Sequence, residues 1–167
     1  MTESISAVVC DAGSIIHLDE LNQLSLFRDF STIFVTQTVK QEVEKHRSID
    51  LSQLSTEIIP EPVVDSQLST WATTFCLHAG EQSALSYACT KKNVIFLTDD
   101  AAARFVAGQM KLRVYGTIGV LLRAVRRGLK SSNEIKSCLE SIPHRSTLHI
   151  RANLLNQVIE ELEKYHN

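Results

Sequence analysis

The segment Val94-Ile95-Phe96-Leu97-Thr98-Asp99-Asp100 places two carboxylates directly after a continuous run of apolar residues. A short apolar run bounded by polar residues is typical of a strand that is buried on both faces of a parallel sheet. The segment Ala7-Val8-Val9-Cys10-Asp11 has the same form and also ends in a carboxylate. Because ligands bind at the carboxyl ends of parallel strands, these acids are the first candidates for a functional site.

Strands and helices alternate along most of the remaining chain. Short apolar runs predict further strands at 33–35, 57–59 and 114–115, and apolar residues at helical spacing predict helices between them. This order favours an α/β fold in which helices cover both faces of a parallel sheet.

The chain after residue 130 contains two helical patterns and no strand pattern. Residues 131–141 predict a helix that Pro143 ends. A second, amphipathic helix has an apolar face formed by Ile150, Leu154, Leu155, Val158, Ile159 and Leu162. This face could complete the core or dock a partner protein. Since no linker or repeat interrupts the sequence, we expect one domain over 1–167, with a motif core at about 7–130 and a helical tail at about 131–167.

The composition excludes several classes of protein. The chain has 167 residues, of which 44% are apolar, and a formal net charge of −2, so extensive disorder is not expected. No apolar run reaches the roughly 18 residues of a membrane span, and Met1–Ser4 do not resemble a secretion signal. We therefore expect a cytoplasmic protein with no membrane partner. The four cysteines form no C-x-x-C pair, which argues against a zinc site.

Positive charge is concentrated in one part of the chain. Between Lys91 and Lys130 there are nine basic residues and only two acids, a net charge of +7. Such a block predicts a surface patch that binds a polyanion, although solvated helix faces would produce the same count.

Two further acids are expected near the same rim of the sheet as Asp11. Glu42 lies in the helix after the second predicted strand, and Glu81 follows Gly80 at the start of another helix. Clustered carboxylates raise one another's pKa unless a cation neutralises them, and oxygen ligands favour Mg²⁺ or Mn²⁺. Such ions support phosphodiester hydrolysis. Taken singly, each acid has a simpler interpretation as a helix cap, a turn residue or part of a solvated face.

Other α/β functions lack their motifs. The turn after Asp11 contains one glycine instead of the G-x-G-x-x-G of a dinucleotide site, and the chain has no G-K-[ST] and no G-x-S-x-G. Gly13 occupies the position where haloacid-dehalogenase-like phosphatases have a second aspartate.

Five segments in this order resemble a PIN domain, most closely a prokaryotic branch related to VapC-type toxin ribonucleases. The matching segments are Val8–Ile16, Val39–Val43, Gly80–Leu85, Ile95–Asp100 with Ala103 and Arg104, and Val114–Leu121. They span about residues 7–130. The resemblance implies a three-layer α/β/α fold with a central, mostly parallel sheet of about five strands. It also implies a Mg²⁺- or Mn²⁺-dependent endoribonuclease and, often, a homodimer.

The resemblance assigns roles to individual positions. Asp11, Glu42 and Glu81 match three catalytic, metal-binding acids, and Glu81 stands where many members have aspartate. Either Asp99 or Asp100 matches the fourth acid, and alignment at Thr98 favours Asp100. Ser14 and Thr98 are expected to orient the site, and Arg104 to contact phosphate or to pair with Asp100. The residues predicted to bind nucleic acid are Arg104, Lys91, Lys92, Arg123, Arg126 and Arg127.

Three functions are compatible with these observations. The leading hypothesis is a metal-dependent endoribonuclease that cleaves RNA, as the toxin of a toxin–antitoxin pair with an antitoxin protein as partner. The second is a non-catalytic module of the same fold that binds nucleic acid or regulates another protein. The third is an interaction protein that docks a partner through the C-terminal helix.

Overall fold

The computed structural model describes residues 7–164. The two ends of the domain predicted over 1–167, including Met1–Ser4, lie outside the described residues. Within residues 7–164, no helix has the length and apolar character needed to cross a membrane.

A five-stranded, entirely parallel sheet forms the centre of the molecule. Its strands are β1 (Ala7–Cys10), β2 (Ile33–Thr36), β3 (Thr56–Ile59), β4 (Val94–Leu97) and β5 (Arg113–Tyr115). They are arranged in the order β3-β2-β1-β4-β5, with Val9 of β1 beside Phe34 of β2 and Phe96 of β4. Helices flank this sheet, which confirms the predicted three-layer α/β/α fold.

Within residues 7–164, eight α-helices connect or follow the strands. They are α1 (Ala12–Glu20), α2 (Gln37–His46), α3 (Ser66–Thr74), α4 (Ala79–Cys89), α5 (Ala101–Gln109), α6 (Thr117–Arg126), α7 (Ser132–Arg145) and α8 (Ala152–Lys164). Short 3₁₀ helices occupy Leu24–Asp29 and Leu51–Gln53. Helix α4 packs across β1, β2 and β4, while α1 contacts both α2 and α6.

Polar residues at the strand ends start the next helices. Asp11, Thr36 and Asp100 lie at the N-caps of α1, α2 and α5, where the side chain of each accepts a hydrogen bond from a backbone N–H of the first turn. Capping satisfies N–H groups that have no partner inside the helix. The simpler interpretation as caps is therefore correct for Asp11 and Asp100, but a cap uses only part of a carboxylate's capacity to accept hydrogen bonds.

The C-terminal helices complete the core on one side. Helix α7 packs on α6, α8 packs on α7, and Leu155 and Leu162 of α8 are buried. The prediction that Pro143 ends the first of these helices is wrong, because α7 continues to Arg145. A proline in the last turn removes one intrahelical hydrogen bond, and the chain still closes the turn when the N–H of Ser146 donates to the Ile142 carbonyl at 3.1 Å.

Candidate active site

A cleft of about 720 Å³ lies at the carboxyl ends of the strands. Strands β1 and β4 are neighbours there, although β2 and β3 separate them in sequence, so the cleft lies at the point where the strand order reverses. All five predicted acids line it, namely Asp11, Glu42, Glu81, Asp99 and Asp100.

Asp11 is the most buried of these acids, with only 4% of its surface exposed. Its Oδ1 accepts hydrogen bonds from the backbone N–H of Ser14 at 2.9 Å and from the Ser14 hydroxyl at 2.6 Å. Its Oδ2 accepts a hydrogen bond from the Thr98 hydroxyl. Burial raises the pKa of Asp11 from 3.8 to about 6, against the lowering effect of these hydrogen bonds and with a smaller contribution from nearby Asp99. Ser14 and Thr98 thus hold the side chain that they were expected to orient.

Asp99 is held differently, by contacts with α1 and α6. Its Oδ1 accepts the backbone N–H of Thr117 at 2.7 Å, and its Oδ2 accepts the Thr117 hydroxyl at 2.5 Å. Oδ2 also lies 2.8 Å from Nδ1 of His17. Burial raises the pKa of Asp99, but the hydrogen bonds from His17 and Thr117 outweigh it and place the pKa below its usual range.

Asp100 and Glu81 face each other from the starts of two helices. Asp100 accepts one hydrogen bond, from the Ala103 N–H at 2.8 Å. Glu81 closes a capping box by accepting the backbone N–H of His78 at 2.9 Å. Burial raises the pKa of Glu81, against the hydrogen bond from His78, and the charge of Asp100 raises it further. These two carboxylates therefore repel each other across the cleft.

Glu42 reaches the cleft because residue 80 is a glycine. The Glu42 Oε1 accepts the Gly80 N–H at 3.1 Å, and a Cβ on residue 80 would overlap the Glu42 carboxylate. The glycine before Glu81 in the sequence motif thus permits a second acid to approach the start of α4.

The capacity left for a ligand differs among the acids. A carboxylate has about four lone-pair positions. The hydrogen bonds described above occupy three of them on Asp11 and three on Asp99, but only one each on Asp100, Glu42 and Glu81. Between the two neighbouring aspartates, Asp100 therefore has more free oxygen capacity facing the cleft.

The side chains of the cleft offer carboxylate oxygens with free lone pairs, which are the ligands that hard divalent cations prefer. A cation would also offset the burial and repulsion that raise the pKa of Asp11 and Glu81. Within residues 7–164, however, no three His, Cys, Asp or Glu side chains are already grouped as a metal site. The cleft thus has the donor chemistry for a metal, but its side chains are not arranged as a preformed coordination shell.

The predicted basic patch does not form at the cleft. Lys91 and Lys92 precede β4, so they lie at the opposite end of the sheet from the acids, and Lys91 stacks over the rings of Phe34 and Tyr87. Neither lysine lines the cleft, because the two ends of a strand lie at opposite ends of the sheet, and their role in nucleic-acid binding stays a prediction.

Arg123 and Arg127 are also engaged elsewhere. They form ion pairs with Asp29 at 2.7 and 2.5 Å, and the Arg123 side chain is only 3% exposed. Both arginines pair with Asp29 and neither lines the cleft, so their role in nucleic-acid binding stays a prediction. Arg104 and Arg126 line a groove that adjoins the cleft. Arg104 donates to the Thr98 carbonyl at 3.1 Å, and no ion pair within residues 7–164 joins it to Asp100.

The cleft also contains residues that the sequence patterns did not indicate. His17, His46, His78 and His149 line it, as do Thr147 and Leu148 from the segment between α7 and α8. His17 follows Gly13 by one helical turn, which was a local signal that it shares a helix face with the start of α1. No local pattern placed the C-terminal segment here, because its position depends on hydrogen bonds from Ser146 and Thr147 to Glu20.

Comparison with known proteins agrees with the fold. A family model described as a PIN domain matches residues 7–164. None of the curated proteins compared with the chain matches it. PIN domains are typically nucleases, which supports a nuclease-type function for this chain. The match spans nearly all of the sequence, and the chain therefore belongs to the PIN domain family.

Proposed function

We propose that the protein is a metal-dependent endoribonuclease that hydrolyses RNA at the acidic cleft. The observation that carries this proposal is the convergence of five carboxylates from four separate segments on one cleft at the reversal of strand order. Such a concentration of buried negative charge lowers stability unless a cation or a proton neutralises it, so its presence favours a binding role over a structural one.

The contacts of each residue indicate its role in the proposed reaction. Asp11, Glu42, Glu81 and Asp100 would hold Mg²⁺ or Mn²⁺, which supplies charge neutralisation at the phosphate and lowers the pKa of bound water. Ser14 and Thr98 fix the orientation of Asp11 through its two oxygens.

Arg104 is a source of positive charge for the substrate. Arg104 stands beside the cleft, where its guanidinium retains further N–H groups for a phosphate. The similarity to VapC-type proteins supports RNA as substrate, an antitoxin as partner, a homodimer and a cytoplasmic location as parts of the same proposal.

The first experiment measures cleavage of single-stranded RNA by the purified protein. We expect cleavage with Mn²⁺ or Mg²⁺, none with EDTA, and none with Asp11→Asn or Glu42→Gln. Glu44→Gln is the matched control, since Glu44 is exposed on the same helix as Glu42 and pairs with Lys40. If wild type and Asp11→Asn degrade RNA at the same rate, the activity belongs to a contaminant and the assignment is refuted.

A non-catalytic nucleic-acid-binding module is the second candidate. It is favoured by the lack, within the described part of the chain, of a preformed group of three metal-binding side chains. This candidate predicts salt-sensitive RNA binding that needs no metal and persists in Asp11→Asn without cleavage. Metal-dependent turnover by the wild type would exclude it.

A further inference from the structure

His17 and Asp99 form a hydrogen-bonded pair at the edge of the acidic cleft. Both oxygens of the Asp99 carboxylate accept hydrogen bonds from Thr117, one from its backbone N–H, which can only donate, and one from its hydroxyl. The Oδ2 atom also contacts Nδ1 of His17 at 2.8 Å. A carboxylate fixed in this way acts as an acceptor, so Nδ1 carries the ring proton that Asp99 binds. In a neutral ring, the other nitrogen, Nε2, then has a free lone pair.

The ring that carries this second nitrogen lines the cleft. The His17 side chain is 14% exposed and lines the same cleft as the acids. Within residues 7–164, Nε2 of His17 has no hydrogen-bond partner. The atom is also not fully buried, because it is absent from the set of buried polar atoms without a partner. Its Cε1, the ring atom between the two nitrogens, lies 3.7 Å from the position that a Cβ on Gly13 would take, and the Asp11 carboxylate is 3.8 Å from that same point. This edge of the ring and the Asp11 carboxylate therefore both border the space that Gly13 leaves empty.

The other histidines of the cleft lack this combination of features. His78 is 82% exposed, and its Nδ1 lies 3.6 Å from Glu81, beyond hydrogen-bonding distance. His46 and His149 are exposed, and neither forms an ion pair with a carboxylate in the described part of the chain. Among the histidines of residues 7–164, His17 alone combines limited exposure, a ring fixed by a carboxylate and a position beside Asp11.

We propose that His17 is the catalytic proton acceptor of the hydrolysis and that Asp99 is its positioning residue. This inference rests on the proposed nuclease function. A water oxygen forms the new bond to phosphorus, and the proton that it loses goes to Nε2 of His17. The ester P–O bond breaks, and its oxygen leaves with the electron pair and takes a proton from solvent. The imidazolium, which Asp99 stabilises, returns its proton to solvent.

The pairing can be tested without any metal, by measuring the tautomer of His17 with ¹⁵N–¹H NMR in EDTA. We expect the Nδ1–H form in the wild type and a mixture of the two forms in Asp99→Asn, whose amide can donate to the ring as well as accept from it. His144, exposed in the last turn of α7, is the internal reference for a free histidine. An Nε2–H tautomer of His17 in the wild type overturns the proposal.

Kinetics provide the second test. We expect His17→Gln to lower kcat on single-stranded RNA by roughly 10²- to 10⁴-fold, with Mn²⁺ affinity and KM changed less than about threefold. Asp99→Asn should lower kcat by a similar factor, whereas His144→Gln should match the wild type. A structural role of His17 would instead change KM, Mn²⁺ affinity and the urea midpoint together, and that result overturns the proposal.

The outcomes separate this inference from the function on which it rests. Cleavage at equal rates by wild type and His17→Gln overturns the role of His17 and leaves the nuclease function standing. Absence of metal-dependent cleavage by the wild type overturns both.

Discussion

Replacement of Asp11 by asparagine should stabilise the metal-free protein at neutral and alkaline pH. The pKa of Asp11 is raised by burial from 3.8 to about 6, so the folded state holds its proton more tightly than the unfolded state does. Ionisation of this carboxyl therefore lowers the free energy of unfolding. The penalty is absent below the ordinary pKa of 3.8, grows as the pH rises, and is complete above about 6.

The raised pKa sets the size of the effect. The difference between 3.8 and about 6, at 1.36 kcal/mol per pH unit, gives about 3 kcal/mol at pH 8, roughly half of that at pH 5 and less than about 1 kcal/mol at pH 4. No discount for solvent screening applies, because Asp11 is 4% exposed. Asparagine removes the ionisation and retains an oxygen that accepts both hydrogen bonds from Ser14. For a chain of this size, about 3 kcal/mol corresponds to a rise in Tm of roughly 6–12 °C.

Urea unfolding of wild type and Asp11→Asn at pH 8, 5 and 4, followed by far-UV circular dichroism in EDTA, measures this difference. The advantage of the variant should shrink steadily as the pH falls. Adding Mn²⁺ should stabilise only the wild type, by about 2.7 kcal/mol at 100 times the dissociation constant. Lower stability of Asp11→Asn than of the wild type at pH 8, or an advantage that does not depend on pH, would refute the destabilising effect of the ionised Asp11.

Two other substitutions test the surroundings of the site. Asp29→Asn removes the carboxylate charge that pairs with Arg123 and Arg127. Because the Arg123 side chain is only 3% exposed, the free energy of unfolding measured in urea should fall by about 3–5 kcal/mol. A loss below about 1 kcal/mol would contradict a structural role for the ion pairs of Asp29. Gly80→Ala places a methyl group against the Glu42 carboxylate and should displace it. Calorimetry should then show roughly tenfold weaker Mn²⁺ binding, with little change in the urea midpoint. Unchanged Mn²⁺ affinity would mean that Glu42 is not a ligand.

The basic block of residues 91–130 illustrates why charge counts along a sequence predict surfaces poorly. The count of +7 is correct, but the residues that carry it are distributed over opposite edges and faces of the fold. Lys91 lies at the amino end of β4, and Arg123 turns inward to Asp29. Which side of an element faces an oppositely charged neighbour depends on packing between distant segments, and a local count contains no information about it.

The positions of the acids were far more predictable, for a physical reason. A buried parallel strand requires a continuous apolar run, and a chain that leaves the sheet at its carboxyl end needs a polar residue to cap the next helix. Asp11 and Asp100 meet both conditions locally, so their placement at one edge of the sheet could be inferred from the order of segments. Glu42 and Glu81 do not directly follow strands, and they were identified from their places in helices and from the resemblance to PIN domains; Gly80 permits the close approach of Glu42 to the start of α4.

The sequence by itself thus determined the α/β order, the parallel strands and the set of carboxylates that end near one another, because these depend on hydrophobic periodicity and capping over a few residues. Only the tertiary structure decided which hydrogen-bond partners each carboxylate has. The partners of Asp99 are His17 and Thr117, which lie 82 and 18 residues away, and the segment after α7 reaches the cleft through Glu20, about 126 residues distant. Contacts of that kind arise when the whole core packs, and no short-range pattern in the chain specifies them.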